Sequence, residues 1–221
     1  MPPTAVLSWS GGKDSALALY DVSKSKDFEI TSLMTTLTRD FGRISMHGVR
    51  RALLTAQADR LRLPVDEVWI TKSASNAEYE RYMSNALEAR RSQGVRHVVF
   101  GDLFLKDIRD YREKLLSKLD MVGAFPLWMK DTRKLAHTFL HLQFKAIVCT
   151  VDPEVLDGGL CGRDFDESFL SELPAGVDPC GENGEFHTFV YGGPIFDGEI
   201  GVKRGEVVLR DGFCFADILP D

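Results

Sequence analysis

Over residues 4–128 the sequence alternates short apolar runs with longer stretches of helical periodicity, and this alternation constrains the fold more than any other feature. "TAVLSW" at 4–9 predicts a buried strand, and "EITSLMTTL" at 29–37, "DEVWITK" at 66–72, "HVVFGDL" at 97–103 and "AFPLW" at 124–128 predict four more. Helices are predicted between them: one from Ser15, one over 47–61, one over 76–93 ended by Gly94, and one from Ile108 closed by Gly123. In the second, Val49, Ala52, Leu53, Ala56 and Leu61 fall at helical spacing. Consecutive strands joined by helices pair in parallel with right-handed crossovers. The expected fold class is α/β, a doubly wound parallel five-stranded sheet, which takes ligands at the carboxyl ends of its strands.

After Trp128 the pattern changes. Residues 130–143 predict a helix, "KAIVCTV" at 145–151 a strand, and "RDFDESFLSEL" a short helix capped by Asp164 with Glu167 three residues on. Asn183-Gly184 and Asp211-Gly212 are hairpin-type turns, and residues 199–218 predict an antiparallel meander. The change of pattern divides the chain into 1–128 and a smaller α+β part, 129–221.

Composition narrows the partners. With 27 Lys plus Arg against 33 Asp plus Glu, the net charge of −6 argues against a nucleic-acid partner, whose binders are usually basic. No run is long and apolar enough to cross a bilayer, so no membrane partner is expected. Cys149, Cys161, Cys180 and Cys214 form no C-x-x-C pair and are expected to be reduced. The start "MPPTAVLSWSGGKD" lacks the basic region of a secretory leader, so a cytoplasmic location is expected.

Where the first strand meets the first helix stands Ser10-Gly11-Gly12-Lys13-Asp14-Ser15. Glycines there permit positive φ and close backbone approach, and a helix start offers free N–H groups and partial positive charge. Lys13 adds a full charge and Ser10 and Ser15 add hydroxyls, which together make an anion cradle. It is not a Walker A loop, because Gly12-Lys13 is followed by Asp14, and one Gly-Gly pair does not make G-x-G-x-x-G. The hexapeptide on this strand-turn-helix frame resembles the PP-loop of the ATP pyrophosphatases. The resemblance implies that ATP binds with its pyrophosphate end in the loop, that AMP passes to an oxygen of the substrate, and that a nucleophile then displaces AMP.

A second cluster lies at 179–193, where Glu182, Glu185, His187 and Thr188 crowd the Asn183-Gly184 turn. A returning strand from Phe186 would place Phe186, Thr188 and Val190 on one face and His187, Phe189 and Tyr191 on the other. Together with "MHGVR" at 46–50, "GDL" at 101–103, "PLW" at 126–128 and "LCGR" at 160–163, the two motifs resemble the diphthine–ammonia ligase family. The resemblance implies a HUP-type PP-loop ATP-binding domain over 1–128 and an acceptor-substrate domain over 129–221. It implies an ATP-dependent amide ligase that adenylates a carboxylate and condenses it with ammonium, releasing AMP and pyrophosphate. The cofactors implied are ATP and Mg2+. The partners implied are a small-molecule or protein-borne carboxylate and ammonium, with a homodimer left open.

The sequence "GENGEFHT" at 181–188 departs from the E-G-G-E-Y-E-T of members assigned to diphthamide synthesis, and looks like the bacterial branch. Its changed charge argues against the same acceptor, and the resemblance to that branch implies another, such as a cobalamin-related acid. Carried onto this chain, the expected catalytic residues are Lys13, Glu182, Glu185 and His187. ATP-binding residues are Ser10, Gly11, Gly12, Lys13, Asp14, Ser15 and Thr36. Substrate-binding residues are Glu182, Asn183, Gly184, Glu185, His187 and Thr188. Asp102 ends the fourth strand at the ligand-binding edge, where a carboxylate either holds Mg2+ or caps the next segment. His47 and Arg50 follow the second strand at the same edge, with Arg50 either on phosphate or at a solvated helix start. The charges around 109–118 are expected to form a solvated face. Two other functions stay open: an ATP-dependent thiolation enzyme, which would want a cysteine near the ATP site, and a sensor that binds nucleotide without chemistry.

Overall fold

The computed structural model describes residues 1–221. Its N-terminal part holds β1 (Thr4–Ser8), α1 (Lys13–Ser25), β2 (Glu29–Thr38), β3 (Arg43–Ile44), α2 (Arg51–Leu61), β4 (Val65–Ile70), α3 (Asn76–Ser92), β5 (His97–Val99), α4 (Lys106–Ser117) and β6 (Val122–Ala124). The parallel strands lie in the order β4-β2-β1-β5-β6, and β3 pairs antiparallel with the far end of β2. This is the α/β parallel sheet expected. Ala5, Val6 and Leu7 of β1 are fully buried because the central strand is covered on both faces. The order turns back between β1 and β5, so the carboxyl ends of those two strands diverge and leave a crevice.

The C-terminal part holds α5 (Thr132–His141), β7 (Lys145–Val151), a 3-10 turn (Gly158–Leu160), α6 (Glu167–Glu172), β8 (Phe186–Gly192), β9 (Val202–Arg210) and β10 (Phe213–Pro220). Its strands form a separate antiparallel sheet in the order β8-β7-β10-β9. One apolar core is continuous from Leu7, Trp9 and Leu33 of the first sheet to Phe139, Val148 and Phe189 around the second. A smaller cluster, with Met34, Leu87, Val98 and Leu116, lies under α3 and α4. No helix is long and apolar enough to cross a membrane, and all four cysteines are free thiols.

Four expectations need correction. Helix α1 begins at Lys13 rather than Ser15, with Gly12 as a cap that makes no side-chain bond. The fifth strand is Val122–Ala124, earlier than expected, and Gly123 pairs with Val98 inside it instead of ending a helix. Asp166, not Asp164, caps α6 by accepting the Phe169 N–H at 2.8 Å, while Asp164 binds Arg204 at 2.6 Å. Asn183-Gly184 does not close a hairpin, because the antiparallel partner of β8 is the distant β7. Asp211-Gly212 does close one, between β9 and β10, with φ of 53° and 86° as a two-residue turn of the I′ kind requires.

Candidate active site

The loop between β1 and α1 is clamped before any ligand arrives. Gln57 of α2 is fully buried beneath it. Its Oε1 accepts the Trp9 indole N–H at 2.9 Å, and its Nε2 donates to the carbonyls of Gly11 at 3.0 Å and Val190 at 2.7 Å. The Val190 N–H donates to the Gly11 carbonyl at 2.9 Å, and the Lys13 N–H to Thr188 Oγ1 at 3.0 Å. Strand β8 is therefore stitched directly to the loop and to the first turn of α1. The glycines answer to this packing. Gly11 sits at φ +79° with Gln57 Oε1 only 2.8 Å from where a Cβ would stand. A Cβ on Gly12 would lie 2.8 Å from His47 Cε1 and 3.0 Å from the Thr188 carbonyl.

Lys13 is 2% exposed. Its Nζ donates to Asp14 Oδ2 at 2.8 Å and to the Cys180 carbonyl, and lies 5.3 Å from the Phe186 ring. Burial alone would lower its pKa, but the charges of Asp14 and its neighbours outweigh burial and hold it above the ordinary lysine value. Burial raises the Asp14 pKa in spite of Lys13. Ser10 Oγ accepts the Gly12 N–H at 3.3 Å and stands 3.3 Å from Ser15 Oγ, which donates to the Gly12 carbonyl at 2.9 Å.

A cavity of about 210 Å³ opens where this loop, the end of β5 and residues 181–188 meet. Ser10, Lys13, Asp14, Ser15, Asp102, Glu182, His187 and Thr188 all line it, so residues separated by more than 160 positions share one space. Glu182 Oε1 accepts the N–H groups of Leu103 at 2.7 Å and Phe104 at 3.4 Å. Burial, with Asp14 and Asp102 nearby, still pushes its carboxyl up to about 7. Asp102 pairs with Arg112 Nε at 3.0 Å, and Arg112 lies over the Phe100 ring at 4.5 Å. Asp14 Oδ1 is buried with no hydrogen-bond partner, and Asp102 Oδ2 accepts no hydrogen bond although it lies 3.0 Å from Arg112 Nε as an ion pair. Hard carboxylate oxygens with open lone pairs fit Mg2+, which takes one or two protein carboxylates beside phosphate and water.

His187 stacks on His47, with ring centroids 4.6 Å apart and planes 27° apart. His47 Nδ1 lies 3.0 Å from the Thr188 carbonyl, which can only accept, so the proton is on Nδ1 and Nε2 carries a lone pair. Burial lowers the His47 pKa to about 4 and that of His187 well below its ordinary value. Both imidazoles are therefore expected to stay neutral from pH 8 to pH 5. Imidazole proton shifts followed by NMR check this, and a midpoint near 6.5 for either ring would contradict it.

The other expected residues stand elsewhere. Glu185 is buried under the turn, where Oε1 accepts the Asp178 N–H at 3.1 Å and Asn183 Nδ2 at 2.9 Å. Asn183 faces a separate depression beside α6, and Gly184 serves the turn through its φ of +93°. Thr36 is paired with Val68 of β4, and its carbonyl accepts the Ser45 N–H at 3.0 Å, away from the cavity. Arg50 binds Asp217 through two bonds of 2.8 and 2.7 Å. Arg112, expected on a solvated face, points inward to Asp102 instead.

Sequence reasoning missed Arg112, Gln57 and Gly101 as parts of this site. A Cβ on Gly101 would stand 2.8 Å from the Asp14 carbonyl carbon, so only glycine lets β5 approach the start of α1. The motif "GDL" held that signal for Gly101.

Protonation of Glu182 links stability to pH. An acid whose folded pKa is raised above its unfolded value loses stability as pH rises through the interval between them, here from about 4.5 to about 7. Glu182→Gln is expected to remove that slope and to gain about 1–2 kcal/mol at pH 8, after discounting for partial exposure. Denaturation midpoints across pH 4–8 check it, and a parallel pH profile for both proteins would contradict it.

Residues 3–122 match the family model of the diphthamide synthase N-terminal domain, and residues 131–218 match that of the diphthamide synthase C-terminal domain. The chain belongs to the diphthamide synthase family. Among curated relatives, it is 31% identical to the diphthine–ammonia ligase of Bos taurus and 30% identical to that of Homo sapiens, over 111 residues in each case. The diphthine–ammonia ligase of Rattus norvegicus is 29% identical over 113 residues. Each match covers 48% of this chain and 42% of the relative. In this diphthamide synthase family chain, the two matched regions meet at the cavity, one supplying the loop and Asp102 and the other Glu182, His187 and Thr188.

Proposed function

We propose that the chain is an ATP-dependent, AMP-forming amide ligase whose acceptor is a carboxylate held by residues 129–221. The observation that carries this reading is the convergence on one cavity of the PP-loop-like turn with Glu182, His187 and Thr188. The carboxylate oxygen of the acceptor attacks the α-phosphorus of ATP and pyrophosphate leaves, giving an acyl-adenylate. Ammonia then attacks the acyl carbon, AMP departs with the bonding pair, and one proton is released.

The residues divide this work. Lys13 and the first-turn amides of α1 balance charge growing on the departing pyrophosphate. The cavity sets Lys13 and Arg112 against Asp14, Asp102 and Glu182, so it carries no surplus positive charge for a polyphosphate. Asp14 and Asp102 would hold Mg2+, which would supply that positive charge. Glu182, titrating near neutrality, takes the proton from the attacking nitrogen. The neutral imidazoles of His47 and His187 accept hydrogen bonds from that nitrogen without repelling a cation.

Thiolation is disfavoured because burial raises the pKa values of Cys149, Cys161 and Cys180 and keeps those thiols protonated. The deciding experiment supplies ATP, Mg2+, ammonium and a panel of carboxylic acids, and follows pyrophosphate and AMP. Equal amounts of both, dependent on one acid, are expected. ADP with phosphate would overturn the ligase, and ATP left intact throughout would make the chain a sensor. Glu182→Gln is expected to lower amide formation about 100-fold while acid-dependent exchange of labelled pyrophosphate into ATP persists. Equal loss of both would remove Glu182 from the proton step.

A further inference from the structure

A second cavity, of about 280 Å³, adjoins the first at His187, which lines both. It lies between the end of β2, the loop 45–48 and the β9–β10 hairpin. Its walls are aromatic and basic, with Phe41, Phe213 and Phe215 beside Arg43, Lys72 and Arg210. The floor is built by the fold: Gly48 sits at φ +67°, and a Cβ there would stand 2.5 Å from Phe215 Cδ1, so only glycine lets Phe215 lie against the loop. Thr150 Oγ1 ties the same loop to β7 through the His47 carbonyl at 3.0 Å.

The charges are unequal. Arg43 and Arg50 share one carboxylate, Asp217, at 2.9 and 2.7 Å, and Lys72 pairs with Asp211 at 2.7 Å. Arg210 has no carboxylate partner. Its guanidinium lies over Phe41 at 4.2 Å and Phe215 at 4.7 Å, in cation–π contact with both rings. An aromatic-walled space with one preorganised and unneutralised guanidinium complements an apolar body bearing an anion.

Resting on the ligase reading above, we infer that this second cavity seats the body of the acceptor. The acceptor is a small acid with an apolar or aromatic body and two anionic groups. One carboxylate passes His187 into the ATP cavity to be activated, and the other meets Arg210. An acid with a quaternary ammonium body and a single carboxylate binds more weakly, because it offers Arg210 no second anion.

The test reads binding without nucleotide. Methionine methyl groups carry the isotope label, with Met46 reporting from the cavity wall and exposed Met129, outside it, as the control. Three probes are titrated: phenylsuccinate, hydrocinnamate and γ-butyrobetaine. Phenylsuccinate is expected to shift Met46 alone and to bind about tenfold or more tighter than hydrocinnamate, the size of one charge-assisted hydrogen bond. Arg210→Gln should erase that advantage and Arg210→Lys should restore part of it, with thermal midpoints confirming folded protein.

The inference falls if no probe moves Met46 at millimolar concentration, if γ-butyrobetaine binds as well as phenylsuccinate, or if Arg210→Gln leaves the preference intact. Pyrophosphate release by the wild-type protein is measured separately. A chain that binds the diacid through Arg210 but never cleaves ATP would refute the ligase and leave the cavity assignment standing.

Discussion

Lys13→Ala is expected to abolish pyrophosphate release and also to weaken the fold. The ammonium is 2% exposed and bound to Asp14 and the Cys180 carbonyl, so its removal strands a half-buried carboxylate and a buried carbonyl. Breaking such a pair from one side costs about 3–5 kcal/mol. The loss of charge from the leaving-group site removes a further factor of about 100–1,000 in turnover. A second variant separates the effects. Lys13→Met combined with Asp14→Asn removes both charges, and is expected to recover most of the stability while turnover stays absent. Denaturant midpoints and pyrophosphate release are the two measurements. Turnover recovered along with stability would show that Lys13 serves only the fold.

Gln57→Leu is expected to damage the protein almost as severely, although Gln57 touches no proposed substrate. The substitution strands the Trp9 indole N–H, takes its side-chain donor from the Val190 carbonyl, and removes one of the two donors to the Gly11 carbonyl, inside the core. At about 1–3 kcal/mol for each stranded group, with partial relaxation, the cost is about 3–5 kcal/mol. The seam between the loop and β8 should loosen with it. Hydrogen exchange at the Val190 amide, which donates to the Gly11 carbonyl, reports that seam directly. Faster exchange at Val190 with weaker ATP binding is expected, and unchanged exchange would mean that Gln57 does not hold the seam.

The parts of the fold legible in sequence are those governed by local chemistry. Strands β1, β2 and β7 stood out as apolar runs because central strands are buried on both faces, while the edge strand β4 buries only Val68. The Asp211-Gly212 turn was legible because a two-residue hairpin needs two positive φ values. Asn183-Gly184 carries the same signal and closes no hairpin, because the partner of its strand lies far back in the chain and turn chemistry does not reveal strand pairing. Arg112 was misread for a similar reason. Its acidic neighbours along α4 look like a solvated face, and only the end of β5 shows that it reaches inward to Asp102.

The sequence by itself determined the parallel sheet, the glycine-rich turn at its carboxyl edge and the two motifs shared with the family. Each of these depends on residues close together in the chain. Only the tertiary structure decided that the motifs share one cavity. It also decided that Glu182 faces that cavity while Glu185 holds the turn beneath it, and that the glycines of the loop make room for Gln57, His47 and β8. The physical reason is that burial and partner choice arise where distant segments pack. A carboxylate becomes a base, a clamp or a metal ligand according to what surrounds it, and the surroundings of Glu182 come from both halves of the chain.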